Sequence, residues 1–208
     1  MENNNNNTRV VTGEARLSYV HLFKPYAHTA GGEEKYSVTI LVPKSDTATK
    51  ARIDAAIDAA KQAGKENKWG GVIPPVCATP VHDGDGPKPS DGLPFGPECK
   101  GHWVFSASAK VEYPPEVVDM NGNPIINQSE VYSGIYGRVC VNFFPYAFNG
   151  KKGIGCGLGP VQKLRDGDAL SGGITAAQAF GEPVGAQTNP FTGQPVQGGI
   201  DPITGRPL

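Results

Sequence analysis

Residues 135–146 read IYGRVCVNFFPY, and the alternation in this stretch decides the fold class of the chain. Every second residue from Ile135 to Phe143 is apolar or glycine, whereas the residues between them are polar or aromatic. A period of two residues is typical of a strand with one buried face. Residues 149–153, NGKKG, are turn sequence. They predict a connection to a further strand that ends near Arg165.

Three other stretches alternate in the same way, at residues 10–20, 35–42 and 102–113. In the first of them, Ala15, Leu17 and Tyr19 are expected on one face. Between the second and the third, apolar residues spaced i, i+3, i+4 and i+7 predict a helix from residue 45 or 46 to about Asn67. Five strands and one helix predict a mainly β chain folded as a small antiparallel barrel.

The composition divides the 208 residues into three parts. Residues 1–8 are expected to form a disordered leader, and residues 9–170 the folded domain. Within the domain, residues 72–101 are rich in Pro, Gly and Asp and predict a loop-rich insertion. Residues 171–208 contain too few large apolar side chains for a core and predict a flexible Gly/Pro-rich tail.

Charge, apolar runs and cysteine spacing indicate which kinds of partner, compartment and metal site the sequence allows. The net charge is -1, but residues 71–134 hold 3 Lys+Arg against 8 Asp+Glu, whereas residues 135–170 hold 5 against 2. A basic face is therefore compatible with a neutral chain. The sequence shows neither a secretory signal nor an apolar run long enough for a membrane, which predicts a cytoplasmic protein. The four cysteines lack metal-ligand spacing and are expected to be free thiols, with no metal and no cofactor.

The outer face of the 135–146 strand combines rings with positive charge. Proteins that bind single-stranded nucleic acid use both, since rings stack on bases and cations follow the phosphates. The loop after residue 20 is also aromatic and basic. The candidate residues of these two segments are Tyr136, Arg138, Phe144, Tyr146, Phe148, Lys151, Lys152, Phe23, Lys24 and Tyr26.

A second interpretation of the same face is that it packs against another layer, so that Phe144 and Tyr146 belong to a core. Arg138 in the middle of the face speaks against this, because an unpaired buried charge is costly. The residues alone leave both interpretations open. The glycine run at 153–159 matches no phosphate-binding loop, and it indicates a strand that needs bends or close backbone approach.

Several short segments, in this order and spacing, resemble a family of bacteriophage proteins. They are residues 15–19 (ARLSY), 22–23 (LF), 35–44 (KYSVTILVPK), 114–119 (PPEVVD), 130–134 (EVYSG), 146 with 150–154 (Y, GKKGI) and 158–163 (LGPVQK). The family comprises OB-fold single-stranded DNA-binding proteins, formerly catalogued as phage proteins of unknown function. The resemblance covers about residues 8–172.

The resemblance implies a five-stranded OB-fold barrel that coats single-stranded DNA during phage replication and recombination in the infected cell. It implies single-stranded DNA and phage replication or recombination proteins as partners, and no catalytic residues. The motif positions that are candidates for contacting DNA are Tyr19, Phe23, Tyr146, Lys151 and Lys152. The helix follows the second strand, whereas many OB-folds place it after the third. The oligomeric state stays open.

Two other functions are compatible with the sequence. The Gly/Pro-rich tail and the neutral charge would also suit a small structural virion protein, in a decoration or tail role. A metal-dependent DNA-processing enzyme would need a carboxylate cluster, and Asp83, Asp85 and Asp91 form the densest group.

Overall fold

The computed structural model describes residues 7–170, in which eight strands and one α-helix follow one another along the chain. The elements are β1 (Arg9–Val11), β2 (Ala15–Tyr26), β3 (Lys35–Pro43), α1 (Thr47–Asn67), β4 (His82–Asp83), β5 (His102–Lys110), β6 (Val117–Val118), β7 (Tyr136–Phe148) and β8 (Lys151–Arg165).

Five long strands close into a ring in the order β7-β2-β3-β5-β8, and β8 pairs again with β7. Four of these five pairings are antiparallel. The fifth, between β5 and β8, is parallel and consists of the single residue pair Ser108 and Gly157. The predicted five-stranded barrel with one helix is confirmed, and one of its pairings is parallel.

The alternation of the strands produces the core. Inward-facing residues of β2, β3, β5, β7 and β8 fill the barrel, and the rings of Phe105 and Phe143 approach to 6.3 Å between centroids. The buried residues of α1, Ile53, Ala56, Ile57 and Ala60, join the same cluster. The narrow apolar stripe of the helix therefore packs on one side only, against the barrel.

Helix α1 begins and ends at identifiable contacts. The side chain of Asp46 accepts a hydrogen bond from the backbone N–H of Thr49 at 2.9 Å, which identifies Asp46 as the N-cap. After the helix, Trp69 is buried and its indole N–H donates to the carbonyl oxygen of Tyr146 at 3.1 Å. Trp69 thus fastens the end of the helix to β7.

Replacing Asp46 by alanine should lower the free energy of unfolding by about 1 kcal/mol, because an N–H group of the first helical turn loses its acceptor. Urea denaturation of the two proteins measures the difference. Asp46→Asn keeps an acceptor oxygen and serves as the control, with a smaller loss expected. If Asp46→Ala is as stable as the unchanged protein, the Asp46 side chain does not stabilise the helix as its N-cap.

Strand β2 is longer than the alternation predicts. The sequence places a loop after residue 20, but β2 continues to Tyr26. The pairing of β2 with β3 shifts register between Ser18 and His21, and Tyr19 within this bulge has a φ of 47°. A bulge resets the alternation of a strand. Tyr19 is therefore 64% exposed and does not share the inner face with Leu17, which corrects that expectation.

The boundaries of the domain agree partly with the described residues. Thr8, assigned by sequence to the leader, is buried, and its carbonyl oxygen accepts a hydrogen bond from the N–H of Phe143. Residues 1–6 and the predicted tail, 171–208, lie outside the described residues. The insertion at 72–101 contains β4 and a 3₁₀ turn at Pro97–Cys99. None of the helices in the described part is both long and apolar enough to cross a membrane.

Candidate nucleic-acid interface

The outer faces of β3 and β5 form a polar surface made of short side chains. While Phe105 and Ala107 of β5 point into the barrel, Ser106 and Ser108 point outward. They pair with Thr39 and Ser37 of β3, and the hydroxyls of Thr39 and Ser106 share a hydrogen bond of 2.9 Å. Thr39, Ser106 and Ser108 leave room above the strands and offer both donors and acceptors, whereas Ser37 is buried with its hydroxyl 3.3 Å from Nε2 of His28.

A cleft of about 580 Å³ lies beside this surface, where β5 and β8 make their single pair. We call it the β5–β8 cleft. Arg9 and Lys110 line it, and its described lining contains no carboxylate. Tyr113, which is 71% exposed, and Phe144 add aromatic rings. The remaining lining is small, amide or apolar: Ser108, Ala109, Cys140, Val141, Asn142, Gly157, Leu158, Gly159 and Pro160.

The glycine run of β8 makes room for the rings of β7. Gly155 pairs with Phe144, and a Cβ atom on Gly155 would come within 2.6 Å of the Phe144 ring. Gly153 pairs with Tyr146, and a Cβ atom there would come within 2.8 Å of the Tyr146 hydroxyl oxygen and 3.0 Å of its ring. The prediction of close approach at these glycines is confirmed. Phe144 remains 43% exposed beside the cleft.

The tip of the β7–β8 hairpin carries three more of the predicted residues. Asn149 and Gly150 both have positive φ, 49° and 76°, as a two-residue type I′ turn requires. This turn presents Phe148, Lys151 and Lys152 to solvent. The structure therefore brings Phe148 and Lys151 together with Tyr146 and Phe144 on one face of the hairpin, whereas Lys152 pairs with Ala147 and lies on the other face.

The β2–β3 hairpin carries the other predicted cluster. Tyr26 is half exposed and stacks on His21, with ring centroids 4.6 Å apart. Burial, and secondly the charge of His28, lower the pKa of His21, which favours the neutral ring. Lys24 is exposed, whereas Phe23 is half-buried against the core cluster. Phe23 thus packs against the core on one side and is exposed to solvent on the other.

Tyr136 and Arg138 lie at the opposite end of β7. The guanidinium of Arg165 covers the ring of Tyr136 at 3.5 Å, and that of Arg16 lies 5.9 Å from it. Arg138 donates from Nε to the carbonyl oxygen of Thr12 at 3.3 Å. Neither predicted residue lines the β5–β8 cleft.

The carboxylates considered for metal binding are engaged with lysines. Lys44 Nζ lies 2.6 Å from Asp83 and 2.7 Å from Asp85. These hydrogen bonds hold the pKa of both carboxyl groups below the usual range. Asp91 pairs with Lys88 at 3.5 Å. The group is therefore an acidic segment whose carboxylates pair with Lys44 and Lys88.

Arg9, Lys110 and Tyr113 are the cleft residues that sequence reasoning missed. Alternation along β5 does place Lys110 on the outer face with Ser108. The proximity of Arg9 and Lys110, however, depends on β1, β7, β8 and β5 lying side by side. That order is not readable from local patterns.

A five-stranded barrel with a basic, ring-lined groove on its outer surface is the architecture of OB-fold proteins that bind nucleic acid. Comparison with known proteins then defines the family. Residues 8–191 match the family model described as "Enterobacter phage Enc34, ssDNA-binding protein", and the chain belongs to this family. The resemblance found in the sequence is confirmed.

Individual relatives support the same family assignment. Protein p50 of Acyrthosiphon pisum secondary endosymbiont phage 1 is 35% identical over 179 residues, covering 81% of this chain and 90% of that protein. The structure of the bacteriophage Enc34 single-stranded DNA-binding protein in complex with ssDNA has a TM-score of 0.66 and 30% identity, over 82% of this chain and 96% of that one.

A more distant structure supports the fold. The single-stranded DNA-binding protein gp2.5 of bacteriophage T7 has a TM-score of 0.50 and 15% identity, covering 80% of this chain and 97% of that one. Together with the ring of five strands, these matches confirm the OB-fold prediction.

Proposed function

We propose that this chain binds single-stranded DNA without sequence preference and protects it during phage DNA replication and recombination in the cytoplasm of the infected host. The observation that carries the proposal is the β5–β8 cleft, in which Arg9 and Lys110 stand beside the exposed rings of Phe144 and Tyr113 and the described lining contains no carboxylate. The names of the relatives, which describe single-stranded DNA-binding proteins, support it.

The chemistry of the cleft suits any sequence. A ring stacks on the face of every base, and each stacked base contributes about 1–3 kcal/mol. Serine hydroxyls such as that of Ser108 rotate to donate or accept, so they do not select one base edge. Arg9 and Lys110 attract the phosphates that all strands share. Phe148, Lys151, Lys152, Lys24 and Tyr26 are proposed to extend the contact onto the two hairpins.

The neutral net charge does not conflict with this role. Both charged residues of the described lining are cations, so the lining itself is positive, although the Glu33 carboxylate interacts with Lys110. The carboxylates of the insertion are neutralised in part by Lys44 and Lys88. Local charge at a groove, and not the total, governs attraction of a polyanion.

The same residues support a binding protein over an enzyme. Hydrolysis of DNA assisted by metal ions needs carboxylates free to hold the metal. Asp83 and Asp85 instead share the ammonium group of Lys44. We propose that the chain has no catalytic activity of its own, and that it works alongside phage replication or recombination proteins.

Fluorescence anisotropy with a labelled oligothymidine at low salt tests the proposal. We expect saturable binding at or below micromolar protein, similar affinity for strands of other base composition, and no shortening of the strand when Mg²⁺ is present. Absence of binding at micromolar protein and low salt would contradict the function, and cleavage would contradict the absence of catalysis.

The salt dependence should identify the cations of the cleft. Each phosphate contact on a single strand adds about 0.7 to the slope of log K against log salt, so removing two should lower the slope by about 1.4. The double variant Arg9→Ala with Lys110→Ala is therefore expected to show a shallower slope and weaker binding at low salt. Anisotropy titrations at several salt concentrations measure both.

Lys65→Ala with Lys68→Ala is the matched control, since it removes two exposed cations at the end of α1 that do not line the cleft. It should leave the slope nearly unchanged. An equal fall in slope for the two double variants would mean that overall charge, and not the cleft, determines binding.

A further inference from the structure

Tyr19 has an unusual backbone conformation for a large side chain. Its φ of 47° lies in the left-handed region, which a side chain with a Cβ atom adopts at a cost in free energy. The bulge in β2 fixes this conformation, and the ring is 64% exposed. An exposed ring does not repay that cost by packing. Strain held at one residue of a strand is a reason to look for a function there.

A second cleft, of about 400 Å³, opens beside Tyr19, and we call it the Tyr19 cleft. Its wall on one side is the insertion, through Phe95 and its neighbours, and on the other the outer face of β5 at Val104. Thr39 and Ser106, joined by their hydrogen bond, also line it. The lining also includes His82 and an oppositely charged pair of residues, Lys88 and Glu98. A concave site of this size that combines apolar surface with a few polar groups is typical of a pocket for a small planar ligand.

The Tyr19 cleft adjoins the β5–β8 cleft. Ser106 lines the first and Ser108 the second, and the two residues stand two positions apart on the same face of β5. Successive residues on one face of a strand are about 7 Å apart. A strand of DNA held over Ser108 therefore passes within reach of the Tyr19 cleft.

We propose that the Tyr19 cleft receives one unstacked base of the strand bound in the β5–β8 cleft, with the Tyr19 ring stacked on that base. The inference rests on the proposed function and adds a second subsite to it. The bulge places the ring in the wall of the cleft, which gives a reason for a tyrosine at a left-handed position. Thr39 and Ser106 can donate or accept at the base edge, so these two hydroxyls do not select one base.

The experiment compares Tyr19→Gly with Tyr19→Phe by anisotropy, using oligothymidine and an abasic strand of the same length. Glycine suits a positive φ, so Tyr19→Gly removes the ring while its urea midpoint stays equal or rises. We expect its affinity for oligothymidine to fall about 5-fold or more without a change in salt slope, because stacking involves no charge. Tyr19→Phe should bind like the unchanged protein. On the abasic strand all three should bind alike.

A blocking variant provides an independent arm. Ser106→Phe fills the cleft from β5, and Ser45→Phe places the same ring on an exposed residue that lines neither cleft. Only Ser106→Phe should weaken binding of oligothymidine. If Tyr19→Gly and Ser106→Phe bind as tightly as the unchanged protein, the subsite is overturned while the proposed function stands. If the unchanged protein fails to bind, the proposed function itself fails.

Discussion

Replacing Phe144 by alanine should weaken binding to oligothymidine about 5- to 150-fold, because a stacked base contributes about 1–3 kcal/mol. Phe144 lies over Gly155 and projects beside the β5–β8 cleft, so its ring is a stacking surface already in place before DNA arrives. Anisotropy titration gives the affinity, and circular dichroism checks that the barrel stays folded. The salt slope should not change, since no cation is removed.

Phe144→Tyr keeps a stacking ring and should bind nearly as well as the unchanged protein. Val11→Ala is a control at another exposed apolar side chain, one that does not line the cleft, and it should have no effect on binding. Loss of affinity in Phe144→Ala with loss of the folded spectrum would mean that Phe144 acts in packing. Unchanged affinity in a folded Phe144→Ala would remove this ring from the site.

Replacing Trp69 by alanine should lower the free energy of unfolding by about 3–5 kcal/mol. Trp69 is buried, contacts Gly64 at the end of α1, and donates to the carbonyl oxygen of Tyr146. The substitution leaves a cavity between the helix and β7 and an unpaired carbonyl. Such a loss is a large part of the stability of a typical domain, about 5–15 kcal/mol. Urea denaturation measures it.

Trp69→Phe separates the contribution of packing from that of the hydrogen bond, because it keeps most of the apolar volume and removes the indole N–H. We expect it to lose about 1 kcal/mol for the hydrogen bond, plus a smaller packing cost. The account of how α1 holds β7 fails if Trp69→Ala is less than about 1 kcal/mol below the unchanged protein.

The sequence predicts those parts of the fold that depend on local periodicity. The alternation from Ile135 to Phe143 marks β7, and the spacing of Ile53, Ala56, Ile57 and Ala60 marks α1, because each pattern reports one buried face. The bulge at Tyr19 escapes the pattern. One added residue shifts every later side chain to the other face, so β2 is predicted to end where it in fact continues.

The residues of the candidate site fall into two groups, those that a local pattern predicts and those that depend on how the strands assemble. Phe144, Tyr146 and Phe148 were predicted because one strand and one turn bring them together, and the structure places them on one hairpin. The role of these residues in binding stays a prediction. Arg9 and Lys110 could not be found in this way, since they meet only when four strands assemble side by side.

The glycines of β8 show how a pattern without a motif can still carry information. Gly153 and Gly155 match no nucleotide-binding loop, and their function is to leave space for Tyr146 and Phe144. Rings that lie over glycines of the next strand are supported from below and remain open above. The same glycines leave Phe144 43% exposed on the outer face of β7, where we propose that it stacks on bases.

Alkylation of Cys140 in the presence and absence of oligothymidine tests the central claim most directly. Cys140 lines the β5–β8 cleft, whereas the half-buried Cys77 packs against the core cluster and serves as an internal control. Burial raises the pKa of Cys99 to about 11 and of Cys156 to about 12, so neither should react near neutral pH. With maleimide and peptide mass spectrometry, saturating oligothymidine should slow the labelling of Cys140 at least several-fold and leave that of Cys77 unchanged. Labelling of Cys140 at the same rate in the saturated complex would show that the DNA lies elsewhere.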